Sequence, residues 1–476
     1  MEKFFKLKDN KTTVRVEIMA GLTTFFAMAY IVFVNPNQVA AEGAGGWLAG
    51  LGADAGALGQ MWNAVYIASI LAALIGTLLM GLYAKLPFAL ACGMGLNAFF
   101  CTCFVSGAFF AEEDVITGYQ SGLVIILISG LIFLVLSITG LREYIAKAMP
   151  DCLKKAIPAG IGLFIAFLGM QNAGLIQANQ YTLVQFVNIK DGDWVKEVAP
   201  ALVAFIGFIV IAILNKLRVK GNIIIGILVS TILYYVFIGQ VPSFDISGIG
   251  QSFKDFGAIG VTGIFNAEAW SKAFTGAHMG SIFNAIMLII TFCLVDMFDT
   301  VGTLYGASAQ ANMLDENGDP INVDKAMTAD SIATVAGAVL GTSTCTTFVE
   351  SASGVAEGGR TGLTSVVVAI CFAVCLFLSP VASIVPGCAT APALIFVGVL
   401  MLKNFAKVDM EDMLSAVPAF LTLVMMPLTY SISNGIGIGA ISYVLIALCT
   451  GKYKKKDIVV TIIAVLFALK FALVYM

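Results

Sequence analysis

Three carboxylates occupy stretches where an apolar chain ordinarily tolerates none. Asp296 and Asp299 fall in IMLIITFCLVDMFDTVGTL (286–304), and Glu350 falls in GTSTCTTFVESASGVAEGGRTG (341–362). On a helix turning about 100° per residue, Asp296 and Thr303 project together and Asp299 lies about 60° round, so with Thr300 they form one polar stripe. An ionised Asp at mid-membrane costs about 3 kcal/mol on insertion scales. Two within one turn disfavour simultaneous ionisation. A carboxyl that loads and releases a proton there is what an ion-coupled carrier needs. The plainer alternative is a helix end near water with solvated acids. The apolar run before Asp296 weighs against it.

Residues 341–362 are rich in Ser, Thr and Gly and also hold Glu357 and Arg360, so they read as an aqueous loop or a broken helix. Irregular backbone at membrane depth must be buried in protein or line a cavity. A second stretch, LPFALACGMGLNAFF (86–100), decides for the broken helix. After Pro87 comes a short extended run, then Gly93, Gly95 and Asn97, with a half-helix expected from near Met94. In 341–357 the corresponding half-helix is expected from near Phe348. The two breaks fall in the third and tenth apolar segments, matching places in two halves of seven. Paired interrupted segments point to an inverted-repeat transporter whose substrate sits where the half-helix N-termini meet. Such N-termini present free N–H groups and positive dipole ends. Gly93 and Gly95 alone would read as close helix packing.

The whole chain fits a membrane setting. Of 476 residues 59% are hydrophobic and 12% charged, against about 25% charged in soluble domains. Mean hydropathy is +0.95. Apolar stretches are read at 15–39, 60–83, 88–110, 119–140, 154–176, 198–216, 220–239, 278–304, 325–341, 343–357, 362–380, 390–403, 414–430, 432–450 and 458–475. About fourteen segments are expected, one of these stretches being re-entrant or interfacial unless the last crosses. Lys and Arg gather at the N-terminus, in Arg142 to Lys155 and in Lys216 to Lys220, which makes that side cytoplasmic. The loops at 40–59 (with Trp47) and 240–277 (with Trp270) then face outward, and 311–325 is a polar cytoplasmic loop. KYKKK at 452–456 belongs inside by the same rule, which leaves 458–475 pointing outward. The charged N-terminus is not a cleavable signal.

Several function classes drop out. The ten cysteines contain no CxxC pair and the single histidine is His278, so a metal site is unsupported. No basic block has the size or aromatic interleaving of a nucleic-acid site. No Ser/His/Asp constellation or phosphate loop suggests an enzyme, and no cofactor is implied. His278 reads as a solvated loop residue, and Lys470 as a side chain reaching to an interface.

GLTTFFAMAYIVFVNPNQVA (21–40), ACGMGLNAFF (91–100), VDMFDTVGTL (295–304) and TTFVESASGVAEGGRTGLT (346–364) together resemble the purine-permease branch of the nucleobase–cation symporter family. The resemblance runs over essentially the whole chain. It implies an all-α integral membrane fold of fourteen segments in two inverted repeats of seven. It also implies a core domain (segments 1–4 and 8–11), a gate domain (segments 5–7 and 12–14) and proton-coupled purine uptake. The divisions are a cytoplasmic N-terminus (1–14), a first repeat (15–239), an extracellular loop (240–277) and a second repeat (278–476). Carried over by motif, Asp299 binds the base with Asp296 close behind, Glu350 is the second base-binding carboxylate, and Asn97 is the polar residue of segment three. Where other branches carry a His or acid four places after the first acid, this chain has Thr303. Proton coupling then rests on Asp296, Asp299 or both.

Oxopurines present ring N–H donors, guanine an exocyclic amine as well, and two carboxylates accept from such edges in charge-assisted hydrogen bonds. Phe348 could stack on the ring, with N–H groups at Gly93 to Gly95 and near Phe348 for a carbonyl oxygen. Thr303, Thr347, Tyr30 and Asn35 are secondary candidates. Glu357 and Arg360 are expected to cap or pair near the cytoplasmic end of segment ten. The resemblance further implies a dimer through the gate domain and a place in the plasma membrane. An adenine or pyrimidine permease, or an anion transporter on the same fold, are the rival readings.

Overall fold

Apolar helices dominate the computed structural model, which describes residues 2–40, 55–104, 115–140, 148–190, 192–241, 248–275, 282–311, 313–314 and 320–474. Trp47 and His278, and so their expected loop settings, lie outside these residues. Thr13 caps the first long helix, its Oγ1 accepting from Val16 N–H at 3.3 Å. In the first half the helices are α1 (Val14–Met28), α2 (Ile31–Ala40) and α3 (Ala55–Leu79). Strand β1 (Leu90–Cys92) leads into α4 (Met94–Phe104), and α5 (Val115–Thr139) and α6 (Asp151–Asn172) follow. A small exposed hairpin, β2 (Ile176–Asn179) and β3 (Leu183–Phe186), precedes α7 (Ala199–Lys216) and α8 (Asn222–Ile238). Two short amphipathic helices, α9 (Gly248–Asp255) and α10 (Ala267–Thr275), join the halves.

The second half opens with α11 (Ile282–Ala311) and α12 (Val323–Leu340), then β4 (Cys345–Thr347), the six-residue α13 (Ser351–Ala356) and α14 (Gly362–Cys375). Four helices end the chain: α15 (Gly387–Leu402), α16 (Met413–Leu428), α17 (Ile432–Cys449) and α18 (Ile458–Val474). They stand against three, α6 to α8, at the end of the first half. Among the described residues eight helices are long and apolar enough to cross a membrane, and four more apolar helices run 10–17 residues.

Segments three and ten are broken, as expected. Their extended pieces pair with each other: β1 and β4 run antiparallel with Leu90 opposite Thr347, Ala91 opposite Thr346 and Cys92 opposite Cys345. Gly93 N–H donates to Thr344 C=O and Phe348 N–H to Ala89 C=O, each at 3.0 Å, extending the ladder at both ends. Side chains satisfy what remains. Thr77 Oγ1 bonds both polar groups of Leu90, and Thr334 Oγ1 bonds both of Cys345. Nonhelical backbone thus survives in an apolar interior because protein groups replace the missing water. The half-helix of segment three begins at Met94, directly after Gly93, as expected, but that of segment ten begins at Ser351, three residues beyond Phe348, because Phe348 is still committed to the ladder.

The helices pack as two groups. α1 to α5 gather with α11 to α14 around the strand crossing, while α6 to α8 gather with α15 to α18. Contacts between the groups run mainly through α4 and α11 against α6, and through α2 against α15. One expectation fails here, and of another, that Glu357 and Arg360 cap or pair, only the cap is found. Lys470 does not reach an interface: it is 7% exposed and its Nζ donates to Ser433 Oγ at 2.7 Å. It lies on the inner face of α18, across the helix from the exposed Val465. Glu357 pairs with Lys220 at 2.8 Å, not with Arg360. Arg360 Nη1 instead donates to Val355 C=O at 2.6 Å and Gly359 C=O at 2.7 Å, closing the end of α13. Its backbone N–H goes to the buried Glu17, which also accepts from Thr361 N–H and from Thr364, capping α14 from the first segment.

Candidate functional site

A cavity of about 410 Å³ opens between the two packing groups. On one side stand α4, β4 and its following turn, α13 and α11; on the other stand α6, through Pro158, Ile161 and Ile165, and α15, through Val397, Leu400 and Met401. Lys403, Asn404 and Lys407 flank it at the end of α15. Asp299 reaches this space from the middle of α11, and Glu350 from the turn that links β4 to α13. Both are half-buried and open to the cavity, and their carboxylates interact electrostatically. Thr303, Thr346, Thr347 and Phe348 complete that wall.

Tyr30 belongs to this site as well. Its fully buried O–H donates to Glu350 Oε1 at 2.6 Å, so segment one positions the carboxylate of segment ten. Gly93 and Gly95 line the cavity and are places of close approach. A Cβ on Gly93 would meet Thr346 Cγ2 at 2.7 Å, and one on Gly95 would meet Ile161 Cγ2 at 2.3 Å. The N–H groups of Gly93 and Phe348 are occupied in the strand ladder, so neither is the free donor expected. First-turn amides of α4 have no intrahelical acceptor by helix geometry and face the same region.

Three of the expected residues stand elsewhere. Asn97 is 1% exposed and does not line the cavity; its Nδ2 donates to Gln38 Oε1 at 2.7 Å and ties α4 to α2. Asn35 donates to Ser69 Oγ at 2.5 Å and Thr342 Oγ1 at 3.2 Å, holding α2 to α3 and to the approach of β4. Asp296, 1% exposed, lies behind β4, where its Oδ2 accepts from Thr334 Oγ1 at 2.8 Å.

One buried acid escaped the sequence reading. Asp330, on α12 and fully buried, accepts from Thr300 Oγ1 at 2.8 Å through Oδ2 and from Thr347 Oγ1 at 3.3 Å through Oδ1. A signal was available: Asp-x-x-x-Thr occurs at Asp296–Thr300 and again at Asp330–Thr334, one helical turn apart each time. No cluster of three or more metal-ligating side chains occurs among the described residues.

What this arrangement can do is bind a flat, polar solute. Two carboxylates accept hydrogen bonds at one end, an aromatic ring offers a face, and aliphatic side chains of α6 and α15 close the other side.

Comparison with known proteins agrees with a carrier. Residues 15–438 match the model of a permease family. The chain is 42% identical over 474 residues to a guanine/hypoxanthine permease of Bacillus subtilis, covering 99% of each. It is 38% identical over 474 residues to an adenine permease of Escherichia coli, covering all of this chain and 96% of that one. Among solved structures, the transmembrane domain of a cyanobacterium bicarbonate transporter superposes with a TM-score of 0.59 over 88% of this chain and 97% of that chain. At 15% identity that likeness concerns the fold alone. The resemblance read from the motifs is borne out by relatives matched end to end, and this chain belongs to the permease family, as a multi-pass membrane transporter and not an enzyme.

Proposed function

We propose that this chain carries purine bases, guanine and hypoxanthine foremost, into the cell across the plasma membrane together with protons. The observation that carries the reading is the pair Asp299 and Glu350 facing one cavity at the crossing of the two broken segments. Guanine offers a ring N–H and an exocyclic amine on one edge, which suits acceptance by a carboxylate. Phe348 supplies a stacking surface. The relatives named guanine/hypoxanthine permeases support the same substrates.

In this reading α1–α5 with α11–α14 form the core (segments 1–4 and 8–11), and α6–α8 with α15–α18 form the gate. The two repeats divide at the 240–277 loop. With the N-terminus cytoplasmic, the end of α15 lies inside, so a cavity flanked by Lys403 and Lys407 is open to the cytoplasm. Core and gate then move against each other to present the base to the other side. A dimer through the gate helices completes the proposal.

A second reading, adenine transport, is favoured by the two adenine permeases of Escherichia coli at 38% identity. Adenine presents an acceptor at the ring nitrogen where guanine presents a donor, so it asks for a protonated carboxyl in the same place. An anion carrier fits poorly, since two acids line the cavity.

Uptake of radiolabelled guanine, hypoxanthine, adenine and uracil in cells lacking their own permeases tests the proposal, with and without a protonophore. The expected result is oxopurine uptake that collapses with the protonophore. Well-expressed protein that takes up no base defeats the purine reading, and uptake indifferent to the protonophore defeats the proton coupling.

A further inference from the structure

We infer that Asp296 and Asp330 form a single proton-holding carboxyl pair behind the substrate cavity, leaving Asp299 as a ligand of the base alone. The inference rests on the transport reading above and assigns the coupling proton within it.

The geometry is reciprocal. Thr300, one turn after Asp296 on α11, donates to Asp330 at 2.8 Å; Thr334, one turn after Asp330 on α12, donates to Asp296 at 2.8 Å. Each helix therefore hydrogen-bonds the other's acid, and the two carboxylates lie close enough to interact electrostatically. Asp296 is 1% exposed and Asp330 wholly buried. Among the described residues the charged groups acting on Asp296 are Asp330 and Asp299, and the titratable neighbours are the thiols of Cys293 on α11 and Cys345 on β4. Among the described residues Asp296 Oδ1 has no hydrogen-bond partner. A buried carboxylate oxygen left without a donor costs a full desolvation penalty. A proton shared by the pair removes one charge and supplies the missing partner, as in other buried carboxylate pairs.

The pair also has a wire to the substrate. Thr300 Oγ1 lies 2.8 Å from Thr346 Oγ1, and Thr347 Oγ1 donates to Asp330. Thr346 and Thr347 are β4 residues that line the cavity. Occupancy of the cavity and charge on the pair thus share one strand, which is the physical means by which each ligand favours the other. The step is a bare proton transfer. The proton comes from water, adds to Asp296 Oδ1, and returns to water on the other side, with no bond of the base altered.

Infrared spectra of the purified protein, recorded as pH is lowered with no purine present, test the pair. The wild type is expected to gain a protonated-carboxyl C=O stretch that disappears in both Asp296→Asn and Asp330→Asn. Guanine binding followed by calorimetry in buffers of different ionisation heat is the second readout. Wild type should take up about one proton per base, and Asp330→Asn should bind guanine with none, its affinity losing a pH dependence of about fivefold or more. Should Asp330→Asn fail to fold, Thr300→Val keeps the charge, removes the hydrogen bonds to Asp330 and Thr346 and should shift the midpoint of the infrared band. A band that survives in both Asn variants or vanishes in Asp299→Asn alone, or proton uptake that survives in Asp330→Asn, overturns the inference. A titrating band in protein that binds no purine would defeat the transport reading and leave the pair standing.

Discussion

Glu350 sits at the tip of a turn and depends on Tyr30 for its orientation, through a hydrogen bond of 2.6 Å that joins residues 320 apart in sequence. A hydrogen bond to a charged group contributes about 1.5–3 kcal/mol. Tyr30→Phe should therefore raise the KM for guanine about tenfold or more while expression and thermal stability stay near wild type. An unchanged KM would separate Tyr30 from the site. At this scale the sequence was legible where a polar residue interrupts an apolar run: Asp299, Glu350, Thr303 and Thr347 all reach the cavity, and Phe348 reaches it beside them. Asn97 and Asn35 misled because their partners, Gln38, Ser69 and Thr342, lie on other segments and spend their polarity on packing. Asp330 was missed because it lies in KAMTADSIATVAG, where small and polar neighbours mask it, and only the crossing of α11 and α12 reveals its meaning.

Among the elements, the pairing of β1 with β4 holds the two broken segments in register. Their breaks were legible from Pro87, Gly93 and the Ser/Thr/Gly run, but three-residue strands carry no usable periodicity, so their register was not. The same limit explains the late start of α13, since sequence does not say that Phe348 still belongs to the ladder. Gly95 matters at this scale because it lets α4 approach α6: any Cβ there falls 2.3 Å from Ile161 Cγ2. Gly95→Val should lower uptake and cost about 1–3 kcal/mol in stability through overpacking. Ile161→Ala in the same chain should recover much of both. Loss in the double variant equal to that in Gly95→Val would show that Gly95 serves something other than this contact. Thermal unfolding in detergent and guanine uptake are the readouts.

For the whole molecule, 59% hydrophobic residues and recurring apolar stretches made the membrane architecture plain from composition. The division of the helices into two packing groups was not written in any local pattern, since it follows from contacts between segments far apart in the chain. Nor was the setting of Lys470, whose partner Ser433 stands on the preceding helix, α17. The cavity is lined by both groups, so under the proposed transport any motion of one against the other would change access to Asp299 and Glu350. The central claim is that these two carboxylates hold the transported base. Equilibrium binding of radiolabelled guanine to purified wild type, Glu350→Gln and Asp299→Asn tests it most directly. The account predicts saturable binding to the wild type and its loss in both variants, with folding confirmed by thermal melting. Wild-type affinity in either folded variant would contradict it.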